Sequence, residues 1–335
     1  MTNESGVLVI AELVDGKLTG LTAELLGVAR RLADQLGGPV SAAEIGDGIN
    51  AKATEECILQ SADRVYVANH ALLADYQGDA WLPAVEKIAH AVSPAVILLG
   101  HTPNGADLAP RLAFRLRTAV AMDCVEVAVD GDKLLLTRPC YGGNARAVVS
   151  CHTRPVVATI RAKSQDPLAP DASRTGEMIS IPLDLASPVR TRIVGRERMS
   201  GEGVRLEDAD IVVAGGRGLN GPEGFRVIEA LAEVLGAAVG ASRAACDLGW
   251  YPHSRQIGLT GKVVTPSLYI AVGISGASQH MAGCAGAKTL VAVNPDPQAT
   301  IFQFAQVGVT GDYAQIVPAL VEELKKHHGR EQDSD

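Results

Sequence analysis

GASRAACDLGW (240–250), QIGLTG (256–261), LYIAVGISGASQHMAG (268–283) and VAVNPD (291–296) follow one another along Gly240–Asn294, the last running on to Asp296. Short apolar runs here stop at glycines, and polar residues come directly after them. A run such as LYIAV, strand-length and uninterrupted, reads as a strand covered on both faces rather than as an exposed edge. Open parallel sheets take ligands at the carboxyl ends of their strands, so polar groups gathered there converge.

Outward from this stretch the same alternation continues. ADIVVAGGRGL (209–219) is a strand running into glycines, and Asn220, Pro222 and Glu223 have the spacing of a capped helix start for 223–235. Strands follow at 237–241, 268–272, 289–293 and 307–309, with helices opening near Ala277, near Ile301 and over 313–327. Towards the N-terminus, VLVIAEL (7–13) is a buried strand, and Leu21, Leu25, Val28, Leu32 and Leu36 form a helical stripe stopped by Gly37 and Gly38. Strands at 40–45, 64–68 and 95–99 alternate with helices at 51–60, 81–91 and 107–117, the grammar of a doubly wound parallel sheet. From Ala119 the pattern changes: VEVAV, KLLLTRP, ARAVVS and PVVATIRA read as short strands between turns, an antiparallel extension of that sheet. Residues 164–176 read as a surface loop, and the charged stretch 196–210 as the boundary between two units. The fold class is α/β with two doubly wound domains: 1–195, a linker at 196–208, 209–328, and a polar tail at 329–335 expected to fray.

The 335 residues are 47% hydrophobic but only 4% aromatic, so the cores are built from Ala, Val, Leu and Ile. A net charge of -8 and a pI near 5.5 argue against a nucleic-acid binder. No apolar run is long enough to cross a bilayer, and a strand begins almost at once, so a cytoplasmic, bacterial protein without membrane insertion is expected. The six cysteines have no metal-site spacing and read as free thiols; no metal is expected. His101, before Asn104 and Asp107, reads as a loop histidine.

The polar groups suit a large aromatic cofactor with polar ends, and a flavin nucleotide fits best. The AGGRGL turn is not G-x-G-x-x-G; it serves either as a tight strand-to-helix turn or as a close approach to a phosphate or ring, with Arg217 placed for an anion. Ser242 and Arg243, then Gln256 and Thr260 flanked by Gly258 and Gly261, are capping groups or hydrogen-bond partners of a ring system. Ser275, Gly276, Gln279 and His280 open a helix fit for a pyrophosphate, and Asn294 and Asp312 each follow a strand, placed for an adenosine. Arg243 and His280 would favour negative charge gathering on a reduced flavin.

GGRGL, GASRAACDLGW, QIGLTG, LYIAVGISGASQHMAG, VAVNPDPQATIF and the final Gly-Asp-Tyr, with TRPCYGGNARA and RPVVATIRA earlier, resemble the electron-transfer flavoprotein alpha subunit over nearly the whole chain. The resemblance implies a heterodimer with a beta subunit and one FAD held mainly by the C-terminal domain. It also implies an N-terminal domain with the adenine-nucleotide hydrolase-like fold that meets the beta subunit and holds no nucleotide. Carried over, the FAD residues are Gly216, Arg217, Ser242, Arg243, Gln256, Gly258, Thr260, Gly261, Ser275, Gly276, Gln279, His280, Asn294 and Asp312. Of these Arg243, Thr260 (near flavin N5) and His280 (near the C2 carbonyl) tune the flavin, and Asn294 and Asp312 serve the adenosine. Where many members read Gln-Thr-Gly this chain has Leu259-Thr260-Gly261, which removes one amide contact and bears on the reduction potential.

The implied activity is that of an electron carrier rather than an independent substrate-converting enzyme. It would accept electrons from flavin dehydrogenases, as in fatty acid β-oxidation, and pass them to a quinone oxidoreductase or another acceptor through an anionic flavin semiquinone. Alternatives are an electron-bifurcating, NADH-linked member, whose beta subunit would hold a second FAD rather than AMP, a substrate-converting flavin oxidoreductase, and a nucleotide-sensing module. Against the substrate-converting reading, the sequence offers no acid-base pair or nucleophile at catalytic spacing outside the cofactor motifs.

Overall fold

The computed structural model describes residues 5–131, 133–143, 145–184, 189–191, 193–195, 205–207 and 209–332. The chain divides into two compact units, one of Met1–Pro139 with Arg146–Glu197, the other of Cys140–Ala145 with Arg198–Asp335.

The first unit alternates β1 (Val7–Ile10), a small hairpin of β2 (Leu13–Val14) and β3 (Lys17–Leu18), α1 (Gly20–Leu36), β4 (Val40–Gly46), α2 (Ala51–Leu59), β5 (Arg64–Asn69), α3 (Gly78–Val92), β6 (Val96–Gly100) and α4 (Pro103–Arg115). It goes on through β7 (Val120–Cys124), β8 (Glu126–Asp130), β9 (Lys133–Cys140), β10 (Ala145–Val149), β11 (Val156–Ile160) and β12 (Glu177–Ser180). Seven strands form a parallel sheet in the order β12-β5-β4-β1-β6-β11-β7. Every residue of β1 is buried, and the period of two sends Val7 and Val9 into one core and Leu8 and Ile10 into the other. Each such side chain contributes about 1.5–3 kcal/mol by leaving water. The first core takes Leu25, Leu26 and Leu32 of α1, and the second takes Ile88 of α3 and Leu112 of α4, so helices cover both faces. Helix α1 starts where the Thr19 hydroxyl accepts from Thr22 N (3.2 Å) and stops at Gly37, whose φ is +78°.

The antiparallel extension is a separate three-stranded sheet, β10-β9-β8, in which β8 and β9 run antiparallel. PVVATIRA does not belong to it. Its strand, β11, is buried throughout and lies parallel between β6 and β7. The connection from β7 to β11 runs through the small sheet instead of a crossover helix, and this breaks the alternation that reveals parallel strands in sequence. Residues 164–176 carry neither helix nor strand, and they lead into β12, which the sequence reading passed over. His101 is a fold residue: its Nδ1 is 2.9 Å from Thr159 Oγ1, and its Nε2 is 3.9 Å from Asp123, which Arg161 clamps with Nε at 2.9 Å and Nη2 at 2.6 Å.

The second unit runs β13 (Ile211–Gly215), α5 (Glu223–Leu235), β14 (Ala238–Ser242), α6 (Arg243–Asp247), β15 (Gln256–Ile257), β16 (Leu268–Val272), α7 (Ser278–Met281), β17 (Thr289–Asn294), β18 (Val307–Thr310) and α8 (Tyr313–Gln332). Its six strands are all parallel, in the order β15-β14-β13-β16-β17-β18. In sequence order that is 3-2-1-4-5-6, the doubly wound order whose direction of growth reverses between β13 and β16. Tyr269 and Ala271 face one core with Val212 and Ala214, while Ile270 and Val272 face the other with Val213 and the α5 residues Phe225, Ile228 and Leu231.

Some sequence expectations change here. Asn220 does not cap α5; it ends a 3₁₀ turn, Arg217–Leu219, at φ +56°, and α5 starts behind Pro222 without a side-chain cap. Of the charged stretch 196–210, residues 196–204 and 208 lie outside the described residues, while Leu206 is buried in the second unit's core. Helix α8 continues past His327 to Gln332, and 333–335 lie outside the described residues. Among the described residues no helix is long and apolar enough to cross a membrane, and no group of three or more His, Cys, Asp or Glu side chains is placed to hold a metal ion. All six cysteines are free thiols.

Candidate functional site

Because all six strands of the second unit are parallel, their carboxyl ends share one edge, and every sequence-nominated residue lies on or just beyond it. Gly216 and Arg217 follow β13, Ser242 and Arg243 follow β14, and Gln256 to Gly261 begin at β15. Ser275, Gly276, Gln279 and His280 follow β16, Asn294 ends β17, and Asp312 follows β18. Five inter-strand gaps of about 4.8 Å make this edge roughly 24 Å long, room for an extended dinucleotide.

The switch point between β13 and β16 is closed by backbone against backbone. Gly216 N and Gly218 N donate to Val272 O and Gly273 O, both at 2.9 Å, and a Cβ on Gly218 would stand 2.8 Å from Gly273 Cα. The Gly216 and Gly218 N–H groups are thus consumed within the chain, and Leu219 N donates to Gly216 O at 3.1 Å, as a tight strand-to-helix turn requires. Arg217 stays exposed at the edge. The turn after β16 is different. Among the described residues, none of the N–H groups of Ser275, Gly276, Ala277, Ser278 and Gln279 donates to the protein. This run is where the chain presents successive backbone donors suited to an anion. Helix α7 is a single turn of four residues, so the loop's N–H groups, and not a helix dipole, supply that character.

Gly276 sits at φ +86°, and a Cβ there would overlap the backbone of Thr300 and Ile301; Ile301 N donates to Ser275 O at 2.9 Å. The 256–261 loop is held against α7 by Leu259 N, which donates to Gln279 O at 2.7 Å, leaving the Leu259 side chain 67% exposed. Within the loop, Gln256 is buried and its Nε2 donates to Thr260 Oγ1 (3.0 Å), so the Thr260 hydroxyl proton is directed away from Gln256. Arg243 is exposed and pairs with Asp247 at 3.3 Å, an i,i+4 surface pair of small energetic weight.

Two nominated residues have full-time positions in the fold. Asn294 is buried; its Nδ2 donates to Ile274 O (2.8 Å) and its Oδ1 accepts from Asp296 N (3.0 Å), tying the β17 end to the loop after β16. Asp312 caps α8, its carboxylate accepting from Ala314 N (2.9 Å) and its carbonyl from Ile316 N (3.1 Å).

His280 is 7% exposed. Its Nε2 lies 2.9 Å from the hydroxyl of Tyr269, which is fully buried, and Cys284 Sγ donates to the His280 carbonyl at 3.6 Å. Burial pushes the His280 pKa down to about 4, with the Ile257 backbone opposing, so the ring is neutral at pH 7 in this unit rather than cationic. Burial also holds the Tyr269 phenol well above its ordinary range and pushes the Cys284 thiol up to about 12. Tyr269 was missed by the sequence reading; its signal was a polar-tipped aromatic within the apolar run LYIAV, eleven residues before the histidine.

Two buried polar atoms on this edge lack a well-formed hydrogen bond: Ser242 Oγ and His280 Nδ1. Buried groups of this kind cost about 1–3 kcal/mol each when unpaired, so such a pair beside unused loop N–H groups fits a site completed by a polar ligand.

Residues 7–186 match the family model described as the electron transfer flavoprotein domain, and residues 205–285 match the electron transfer flavoprotein FAD-binding domain. The chain is 43% identical to an electron transfer flavoprotein subunit alpha from Thermoanaerobacterium thermosaccharolyticum, covering 97% of this chain and 99% of that protein. This chain belongs to the electron transfer flavoprotein alpha-subunit family. A subunit alpha from Bacillus subtilis is 42% identical, covering 96% of this chain and 97% of that one, and a Protein FixB from Clostridium saccharobutylicum is 37% identical over 96% of each. The family's cofactor is FAD, and its FAD-binding domain falls on the second unit, across the β13–β16 switch point and both of these buried atoms. The residues present fit that cofactor: loop N–H groups for phosphate oxygens, a hydroxyl and a ring nitrogen for polar ring atoms, and Arg217 and Arg243 for negative charge.

Proposed function

We propose that this chain is the FAD-holding subunit of a heterodimeric electron carrier. It assembles with a beta-type subunit in the cytoplasm, accepts electrons from flavin dehydrogenases, those of fatty acid β-oxidation among them, and delivers them to a quinone oxidoreductase or another protein acceptor. The observation that carries the reading is the coincidence of the FAD-binding domain with an edge whose Ser242 Oγ and His280 Nδ1 are sealed from solvent without a well-formed hydrogen bond. Bound FAD supplies one- and two-electron redox chemistry, and the chain needs no substrate-converting group of its own. Ser275 to Gln279 bind the phosphates through backbone donors, Ser242 and His280 orient the ring system, and Thr260 offers its hydroxyl proton. Arg243 supplies positive charge, while Asn294 and Asp312 brace the loops against which the adenosine half lies.

Arg243 gives the reading a measurable magnitude. A unit charge about 5 Å from another is worth about 3 kcal/mol at an effective dielectric of 20 and under 1 kcal/mol in water. With 66% of its side chain exposed and Asp247 beside it, Arg243 sits towards the lower end. Arg243→Ala is expected to lower the one-electron potential of the bound flavin by about 59 mV, a factor of ten, with the fold unchanged; spectroelectrochemistry on the co-expressed heterodimer measures it. The function itself is tested by mixing the reduced heterodimer with a quinone-linked protein acceptor. Rapid reoxidation by the acceptor is expected, and steady conversion of a small substrate without any protein acceptor would overturn the carrier reading.

A further inference from the structure

Behind His280 lies the phenol of Tyr269. Tyr269 is fully buried, and its proton stays on the oxygen throughout the physiological range. A phenol sealed from water must place its proton on a neighbouring acceptor or leave a buried donor unpaired. Two acceptors are at hand. His280 Nε2 is 2.9 Å away; the other is the Cys284 sulfur, a weak acceptor whose own proton is directed to the His280 carbonyl. The ring nitrogen is the stronger acceptor. Receiving the phenolic proton there leaves Nε2 bare and puts the imidazole's single proton on Nδ1, because in the neutral ring one nitrogen donates and the other accepts. Nδ1 is the buried atom without a well-formed bond; the Ile257 backbone, which opposes the fall in the ring's pKa and so draws the same proton, lies at the start of the loop that carries Gln256 and Thr260.

We infer that Tyr269 is a positioning residue: by donating to His280 Nε2 it holds the ring in the Nδ1–H tautomer, a neutral hydrogen-bond donor rather than a cation, at the carboxyl edge of the second unit. This rests on the FAD reading only for what the donor meets; the tautomer belongs to the chain itself. The same arrangement explains why a histidine can be buried here beside an aromatic strand without a carboxylate partner. The phenol orients the ring and no charge has to be desolvated.

Histidine-ring ¹⁵N NMR of the full chain tests it, with His280 assigned by its loss in His280→Gln. In the wild type at pH 7.5 a protonated Nδ1 and an unprotonated Nε2 are expected. Tyr269→Phe, which removes one oxygen and keeps the ring, is expected to shift His280 to a tautomer mixture or to Nε2–H, a change of at least tenfold in the tautomer ratio. A protonated Nε2 in the wild type would overturn the inference before any variant is made, so it does not depend on how well the variant folds. An unchanged tautomer in a folded Tyr269→Phe would also overturn it. Loading FAD into the heterodimer separates the two readings. Movement of the Nδ1 signal on loading supports the donor meeting the cofactor. An unmoved Nδ1 signal counts against His280 facing FAD while the tautomer assignment stands.

Discussion

Gly276→Ala is expected to destabilise the second unit by about 4 kcal/mol and to abolish FAD retention. Three costs combine. A side chain at φ +86° carries about 1–3 kcal/mol of backbone strain. The added Cβ would lie 2.5 Å from Ile301 Cα and 2.8 Å from the Thr300 carbonyl carbon, so backbone must move, at about 1–3 kcal/mol. Moving it stretches the Ile301 N to Ser275 O hydrogen bond, worth about 1 kcal/mol. Gly236 is the control: its φ is +61°, but nothing lies within 4 Å of a Cβ there, so Gly236→Ala bears the strain alone. Urea unfolding of the FAD-free chain and flavin content of the co-expressed heterodimer read the two effects. Equal destabilisation by the two variants would show that the approach of the 275–276 turn to Ile301 is not a close one.

The second large effect is on pH. The His280 pKa is near 4 in the folded unit and near 6.5 when the chain unfolds, so between these values the unfolded state binds more protons. Stability from this group is therefore fully present above pH 6.5 and is lost as pH falls towards 4, by about 3 kcal/mol in all. Tyr269 and Cys284, both pushed upward, stay neutral over this range and add nothing to the slope. Unfolding of the FAD-free chain at pH 7.5 and pH 5 is expected to show the second unit losing stability, and His280→Gln is expected to flatten its share of that loss. A wild type and a variant with the same pH dependence would mean that the histidine is hydrated rather than buried.

Much of this architecture could be read from the residues because parallel sheets write themselves plainly. Runs such as VLVI and LYIAV are apolar throughout since both faces are covered, and glycine or a polar group marks each strand end in the second unit. The harder parts were those in which one residue's meaning depends on a distant partner. β11 was misplaced because a small antiparallel sheet replaces its crossover helix, and β12 because Glu177–Ser180 is an edge strand exposed over most of its length. At the site, position was legible and role was not. Arg217, Ser242, Gln256 and His280 all reach the carboxyl edge, yet the Gly216 and Gly218 N–H groups are consumed by Val272 and Gly273, and Asn294 is bonded to Ile274 and Asp296. No spacing rule distinguishes an asparagine that holds a loop from one that meets a ligand. Tyr269 was hidden for the opposite reason: a tyrosine in a strand is ordinary until the histidine it faces is known.

The most direct measurement is a crystal structure of the co-expressed heterodimer with its flavin bound. The expected result is the cofactor along the carboxyl edge of β13 and β16, with Ser242 Oγ and His280 Nδ1 each within hydrogen-bond distance of it and its phosphates against residues 275–279. A flavin held elsewhere, or one bound while both atoms stay unpaired, would contradict the assignment of that edge as the cofactor site.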